Sequence, residues 1–236
     1  MTPGTVLEMT GIRKNYGALR PLRIQSLSVR GGERVAIAGL DAAAAESMVN
    51  LVTGASLPDE GVVRVFDRAT TAVVDGDEWL SSLDRFGIVS DRAVLLEGAA
   101  LLQNLALPFT LEIDPVSSAT RDRVARLADE CGIGAEWLEH PSAELPPEVR
   151  ARAHLVRALA LDPELLLMEH PSATLPDVER VPFGAVIRRV CEARALTAVI
   201  VSLDGGFSAA AAERILTLQP ATGVLKDSSR RGWFRS

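Results

Sequence analysis

Two short stretches hold residues whose types and spacing could do chemistry on a phosphorylated substrate. The first is AGLDAAAAES, Ala38 to Ser47, which joins the apolar run RVAIA to a helical pattern ending at Gly54. A strand, a tight loop and a helix N-terminus in that order can cradle phosphate. Glycines let backbone N–H groups curl round the oxygens, a lysine reaches the terminal group and a hydroxyl holds Mg²⁺. Here Gly39 is the only glycine in the loop, and Lys14 and Lys226 are the only lysines in the chain. The second stretch is ELLLMEH, Glu164 to His170, an apolar run ending on Glu169 and His170. His170 could serve as a base or a metal ligand, but with no cysteine or second histidine near it in sequence, the strand-end context reads as a hydrogen-bonded structural histidine.

Asp41 followed by four alanines is a good helix start, an N-cap acceptor and then the best helix former repeated. One reading starts the helix near Ala42, with its free N–H groups met by Asp41 and Glu46 in place of phosphate. The other keeps a wide, anion-accepting loop from Gly39 to Ala45 with positive φ at Ala42 or Ala44, at about 1–2 kcal/mol for each alanine so placed. Glu46 alone would hold Mg²⁺ weakly, and helix capping is the default role for it.

The elements that must position these groups alternate between two patterns. VLEMTGI (Val6–Ile12), IQSLSV (Ile24–Val29) and GVVRVF (Gly61–Phe66) have the period of half-buried strands. ERVAIAG (Glu33–Gly39), ELLLMEH and LTAVIVSLD (Leu196–Asp204) are continuously apolar at their centres, as strands covered on both faces of a parallel sheet are. Between them lies a helix-rich, proline-divided segment from about Asp91 to Arg157, in which RDRVARLADECGI (Arg121–Ile133) puts Val124, Leu127, Ala128 and Cys131 on one face. The amphipathic VPFGAVIRRVCEARA follows, then ERILTL (Glu213–Leu218) as a further strand and a polar tail.

Composition excludes several classes. The 236 residues are 47% hydrophobic and carry a net charge of -6, with no concentrated basic face, which argues against nucleic acid as a partner. Cys131 and Cys191 have neither the spacing nor the neighbours of a metal site and read as small buried hydrophobes in a reducing compartment. No apolar run approaches the roughly 20 residues that cross a bilayer, and MTPGTVLEMTG is no export signal. The expected location is the cytoplasm, peripheral on the inner face of the cell membrane.

Nearly the whole chain resembles the ATP-binding subunit of an ABC transporter. VLEMTGIRKNYGALRPL is similar to that family's first strand and adenine-stacking aromatic, which falls on Tyr16. LSVRGGERVAIAG and NLVTGASLPDEGVVRVFDR resemble the segments flanking its phosphate loop, and HPSAELPPEVRARAHLVRALALDPELLLMEHPSATLP matches, without a gap, the stretch from its signature sequence through its second nucleotide motif. The resemblance implies a P-loop NTPase-like α/β fold. It would have an N-terminal antiparallel β lobe, a parallel-sheet core and a helical subdomain over about 92–157, as one domain over 1–227 with a flexible tail over 228–236.

Against that family the chemistry is missing motif by motif. Ala42 and Ala44 fall on phosphate-loop glycines, Ala45 on the lysine and Glu46 on the metal-binding hydroxyl, with Ser47 next to it. Asp91 falls on the glutamine that senses Mg²⁺ and couples to the membrane partner. Leu145, Pro146, Pro147, Glu148 and Val149 replace the signature, with two prolines that offer no N–H donors and an acid that would face a partner's γ-phosphate. Glu169 stands at the metal-coordinating aspartate, a tolerable exchange, but His170 replaces the catalytic glutamate, Leu203 the switch histidine and Pro176 the aspartate of the inter-subunit loop. Concurrent losses in groups that act as a unit leave hydrolysis nothing to preorganise.

The expectation is a pseudo-ATPase: a structural or regulatory partner of a membrane permease, paired with itself or with a competent ABC ATPase. No cofactor is expected and no catalytic residue remains. The vestigial nucleotide positions are Tyr16, Gly39, Ala42, Ala44, Ala45, Glu46 and Ser47, with Glu169 the most that could hold a metal; a plain packing role is the default for Tyr16. Two alternatives stay open. One is a low-activity ABC ATPase using ATP and Mg²⁺, and the other a free soluble scaffold. The apolar stretch Leu95–Ile113 follows the coupling position. Leu101, Leu102, Leu105 and Leu107 are expected mostly to pack the helical subdomain, some of them forming an exposed groove for a partner helix with Ala99 and Phe109.

Overall fold

The computed structural model describes residues 4–73, 75–90 and 92–228. In chain order the elements are β1 (Thr5–Lys14), β2 (Leu22–Arg30), β3 (Arg34–Ala38), α1 (Ala42–Thr53), β4 (Glu60–Val65), β5 (Arg68–Ala69), α2 (Gly76–Leu83), β6 (Phe86–Val89), α3 (Leu101–Ala106), α4 (Ser118–Glu130), α5 (Pro147–Leu159), β7 (Leu165–Glu169), α6 (Asp177–Arg194), β8 (Thr197–Val201), α7 (Gly205–Ala211), β9 (Arg214–Gln219) and β10 (Val224–Asp227). One sheet is antiparallel, in the order β2-β1-β4-β5; the other runs β10-β9-β3-β8-β7-β6 and is parallel except for its edge strand β10. This is the α/β ABC-type architecture the sequence implies, an antiparallel lobe beside a parallel core with helices gathered between β6 and β7.

The continuously apolar strands feed two cores at once. Side chains alternate across a strand, so Ala36, Leu166, Met168, Ala198 and Ile200 join α3 to α6 in one cluster. Val35, Ile37, Leu165, Leu167, Val199 and Val201 join α1 and the antiparallel lobe in the other. Helix α1 is thereby trapped between the two sheets, with Met48, Leu51 and Val52 buried. Leu101, Leu102 and Leu105 are fully buried in the helical cluster.

Gly39 closes β3, and its role is steric. Its φ is +91°, and a Cβ there would lie 2.7 Å from the Leu218 backbone oxygen of β9. Five elements escape the sequence reading, the first being the two-residue strand β5. Strands β6 and β10 are four residues each, too short to show a period, and α2 and α7 are eight and seven residues with weak patterns. Of the tail expected over 228–236 only Ser228 is described; it donates to the Ile215 oxygen at 2.7 Å and its hydroxyl meets that of Thr217.

Both cysteines are buried free thiols. Burial pushes Cys131 and Cys191 up to about 12. At pH 8 only about one thiol in ten thousand is ionised at such a value, and the thiolate is the reactive form. Ellman's reagent is therefore expected to label neither cysteine in the native protein and both after denaturation. Gly39→Ala combines a left-handed alanine with a backbone clash. It is expected to destabilise the protein by about 2–3 kcal/mol, a fall in Tm of roughly 4–12 °C for a chain of this size, read by thermal unfolding.

Candidate functional site

The site lies where the C-terminal ends of β3, β6 and β7 meet the N-terminus of α1. The loop after β3 is three residues, Gly39, Leu40 and Asp41, because the helix begins at Ala42. Asp41 is its N-cap: its Oδ1 accepts from the Ala44 N–H at 2.8 Å, and its carbonyl accepts from Ala45 at 2.9 Å. None of the four alanines has positive φ. The early-helix reading holds, and the wide loop does not form. Two of the first-turn amides, those of Ala44 and Ala45, are thereby occupied by Asp41.

Glu46 takes no part in that cap, which corrects the expected role. It stands one turn beyond the first helical residue, too far along α1 to reach the N-terminal amides. Its carboxylate instead accepts from Arg92 Nη1 at 2.7 Å. The other arm of the same guanidinium, Nη2, donates to Glu169 Oε1 at 2.5 Å. Ser90, buried at the end of β6, donates to Glu169 Oε2 at 3.0 Å and accepts from both the backbone N–H and Nε of Arg92 at 3.2 Å. Glu169 is only 7% exposed. A buried carboxylate needs a partner cation or it must shed its charge; here the cation is covalently part of the chain.

Arg92 and Ser90 are the residues that sequence reasoning missed. The one clue was indirect: the resemblance put two acids, Glu46 and Glu169, on its metal-binding positions, in a chain with lysines only at Lys14 and Lys226. Asp91, expected at the coupling position, lies outside the described residues. Two carboxylates thus meet one guanidinium, and Asp41 adds a further acid at the start of α1.

The other sequence-predicted positions scatter around this centre. Tyr16 is half-buried against the α1 cluster, its phenol pKa raised by burial and by the negative Asp41. Ser47 is buried on α1 with its hydroxyl unpaired among the described residues. His170 has φ +44° and donates its backbone N–H to Val201 at 2.8 Å. Its ring does not make the bond expected of it: Nε2 is buried without a hydrogen-bond partner among the described residues. Leu203 follows β8 and is 69% exposed, so no imidazole faces the site from there.

The LPPEV stretch is a helix start. Pro146 is the N-cap of α5, Pro147 its first residue and Glu148 lies in the first turn, while Leu145 and Val149 anchor it in the core. Proline fits there because its fixed φ suits the first helical position and its missing N–H would be unpaired anyway. Pro176 caps α6 in the same way. Of the groove residues expected near the coupling position, Leu101, Leu102 and Leu105 contribute nothing to the surface. Ala99, Leu107 and Phe109 are partly exposed, Phe109 beneath the Arg123 guanidinium at 4.1 Å. The aliphatic surface of this region comes instead from Val94, Leu96 and Leu111.

No family model matches the chain. It is 30% identical over 202 residues to the phosphonates import ATP-binding protein PhnC of Anaeromyxobacter dehalogenans, an alignment covering 82% of this chain and 40% of that protein. It is 26% identical to the methionine import ATP-binding protein MetN of Brucella abortus, over 92% of this chain and 58% of that one. To the aliphatic sulfonates import ATP-binding protein SsuB of Burkholderia ambifaria it is 29% identical, over 92% and 62% respectively. The chain thus spans about half the length of these relatives. Among solved structures, the dimeric ABC transporter cassette MJ0796 matches with a TM-score of 0.78 at 22% identity, over 96% of this chain and 100% of that one. A second, cbiO1 from Clostridium perfringens, part of the transporter complex cbiONQ, matches with a TM-score of 0.75 at 17% identity, over 94% and 87%. Sequence likeness and fold agree: over most of its length the chain is similar to ABC transporter ATP-binding subunits, and its fold is that of the ABC cassette.

Proposed function

We propose that the chain is a non-hydrolysing member of that family, a structural or regulatory partner of a membrane permease whose nucleotide site is filled by its own side chains. The observation that carries this reading is the Arg92 guanidinium bridging Glu46 and Glu169, the positions that the family resemblance assigns to the metal-binding hydroxyl and the metal-binding acid. A tethered cation takes the place that Mg²⁺ would need. The lysine position is an alanine, and the first turn of α1 is capped by Asp41.

Magnitudes favour exclusion over weak binding. Two like charges about 4 Å apart near a protein surface repel by about 4 kcal/mol, as much as a millimolar affinity is worth in total, about 4 kcal/mol. One such clash between a phosphate and Asp41 would therefore cancel what little the loop could offer. For hydrolysis the deficit is larger still: no carboxylate base follows Glu169, and Leu203 brings no proton-carrying group.

The relatives named as import ATP-binding proteins support a role beside a permease, and the dimeric cassette supports pairing with a second cassette, either a copy of this chain or a competent ATPase. No helix among the described residues is long and apolar enough to cross a membrane. Attachment on the cytoplasmic face would therefore run through the permease.

Titration with a fluorescent ATP analogue is expected to show no Mg²⁺-dependent saturation below about 1 mM. Arg92→Ala alone is expected not to restore binding, since the glycines and lysine are still missing. Tight Mg²⁺-dependent binding by the unaltered protein would establish the low-activity ATPase instead. From detergent-solubilised membranes of its own cells, the tagged chain is expected to bring down an integral membrane protein in stoichiometric amount. Recovery solely as a soluble monomer would favour a free scaffold.

A further inference from the structure

Arg92 begins a segment that is fastened at both ends. Toward the sheet, its guanidinium holds Glu46 on α1 and Glu169 at the end of β7, and Ser90 ties the same Glu169 from the end of β6. Toward the helices, Arg157 of α5 donates to the Val94 oxygen at 2.9 Å. Leu95 is buried in the helical core. Leu96 is gripped by Asn104 of α3, its N–H donating to Oδ1 at 2.7 Å and its oxygen accepting from Nδ2 at 3.1 Å. Asn104, fully buried, passes the link on to the Ser142 hydroxyl at 2.9 Å. Backbone bonds from Ser142 to Ala99 and from Ala143 to Glu97 finish the attachment ahead of α5.

We propose that Ser90 and residues 92–96 form a strap that holds the helical layer and the parallel core in one relative orientation whether or not nucleotide or Mg²⁺ is present. Arginine suits the task because its planar fork can engage two carboxylates on different elements at once, whereas a lysine ammonium is a single point of charge. Its two acceptors belong to α1 and β7, so the strap spans the heart of the core. Loss of the guanidinium leaves Glu169 buried with Ser90 as its remaining donor, a cost that opening the strap relieves by admitting water. The regulatory meaning of the strap, a subunit that supports a permease without cycling, rests on the non-hydrolysing reading; the mechanical link itself does not.

Hydrogen exchange followed by mass spectrometry tests it on the full chain, with and without Mg²⁺-ATP. Amides of residues 93–106 are expected to exchange about tenfold faster in Arg92→Ala and in Arg157→Ala than in the unaltered protein, with Arg92→Lys in between. The amides of β8 stay protected and report that the fold is intact; if Arg92→Ala loses that protection, Arg157→Ala and Arg92→Lys read the same segment. Mg²⁺-ATP is expected to leave the unaltered protein's pattern unchanged. Equal exchange in the variants and the unaltered protein would overturn the strap while leaving the proposed function standing. Slowing of residues 93–106 by Mg²⁺-ATP would overturn nucleotide independence and the non-hydrolysing reading together.

Discussion

A buried carboxylate at the end of a central strand must find a positive partner, and in this chain the partner is Arg92. Glu169 closes β7 with almost no access to water, so leaving it charged and alone would cost several kilocalories per mole. In a site that binds Mg²⁺ the ion meets such an acid, and the acid is unsatisfied whenever the ion leaves. Here the debt is settled permanently: one guanidinium answers Glu169 and Glu46 together, and Ser90 fills the remaining oxygen. The exposed half of the arrangement, Arg92 with Glu46, is worth little by itself. Its importance is that it orients the guanidinium toward the buried acid.

The loop before α1 follows the same logic. A wide phosphate loop keeps N–H groups unpaired until a ligand arrives and holds residues at positive φ to do so, which is strain retained for function. In this chain's loop positive φ is confined to Gly39, and Asp41 meets the Ala44 and Ala45 amides. Four alanines continue the helix back to Ala42, and Asp41 closes its first turn. Gly39 persists because the Leu218 carbonyl leaves no room for a Cβ. In LPPEV, Pro147 at the first position of α5 and Glu148 in its first turn likewise suit a helix start.

Much of this was legible in the sequence because it depends on local chemistry. Period-two and continuously apolar strands, the Asp41 cap and the proline-started helix all rest on residues within a few positions of one another. The short strands β6 and β10 were not legible, since four residues cannot display a period, and their place is set by pairing with β7 and β9. Arg92 was hidden for another reason. Its acceptors lie 46 and 77 positions away in sequence, and no local pattern marks an arginine as the counter-ion of two distant acids. His170 shows the opposite failure: a strand-end context suggested a paired ring, and the left-handed backbone at that residue leaves Nε2 buried and unbonded among the described residues.

Most of the cassette's core lies away from the site. The two cores are built on alternating sides of β3, β7 and β8, and the start of α1, with Ala44 and Ala45, is shared between core and site. The site holds caps and ion pairs of the ordinary structural kind, so on the non-hydrolysing reading proposed above the exchanges need not lower stability. Selection on such a chain would act on its shape. The features that keep this shape constant, a capped α1 and a strap tied to both layers, are concentrated where an ATPase would have its moving parts.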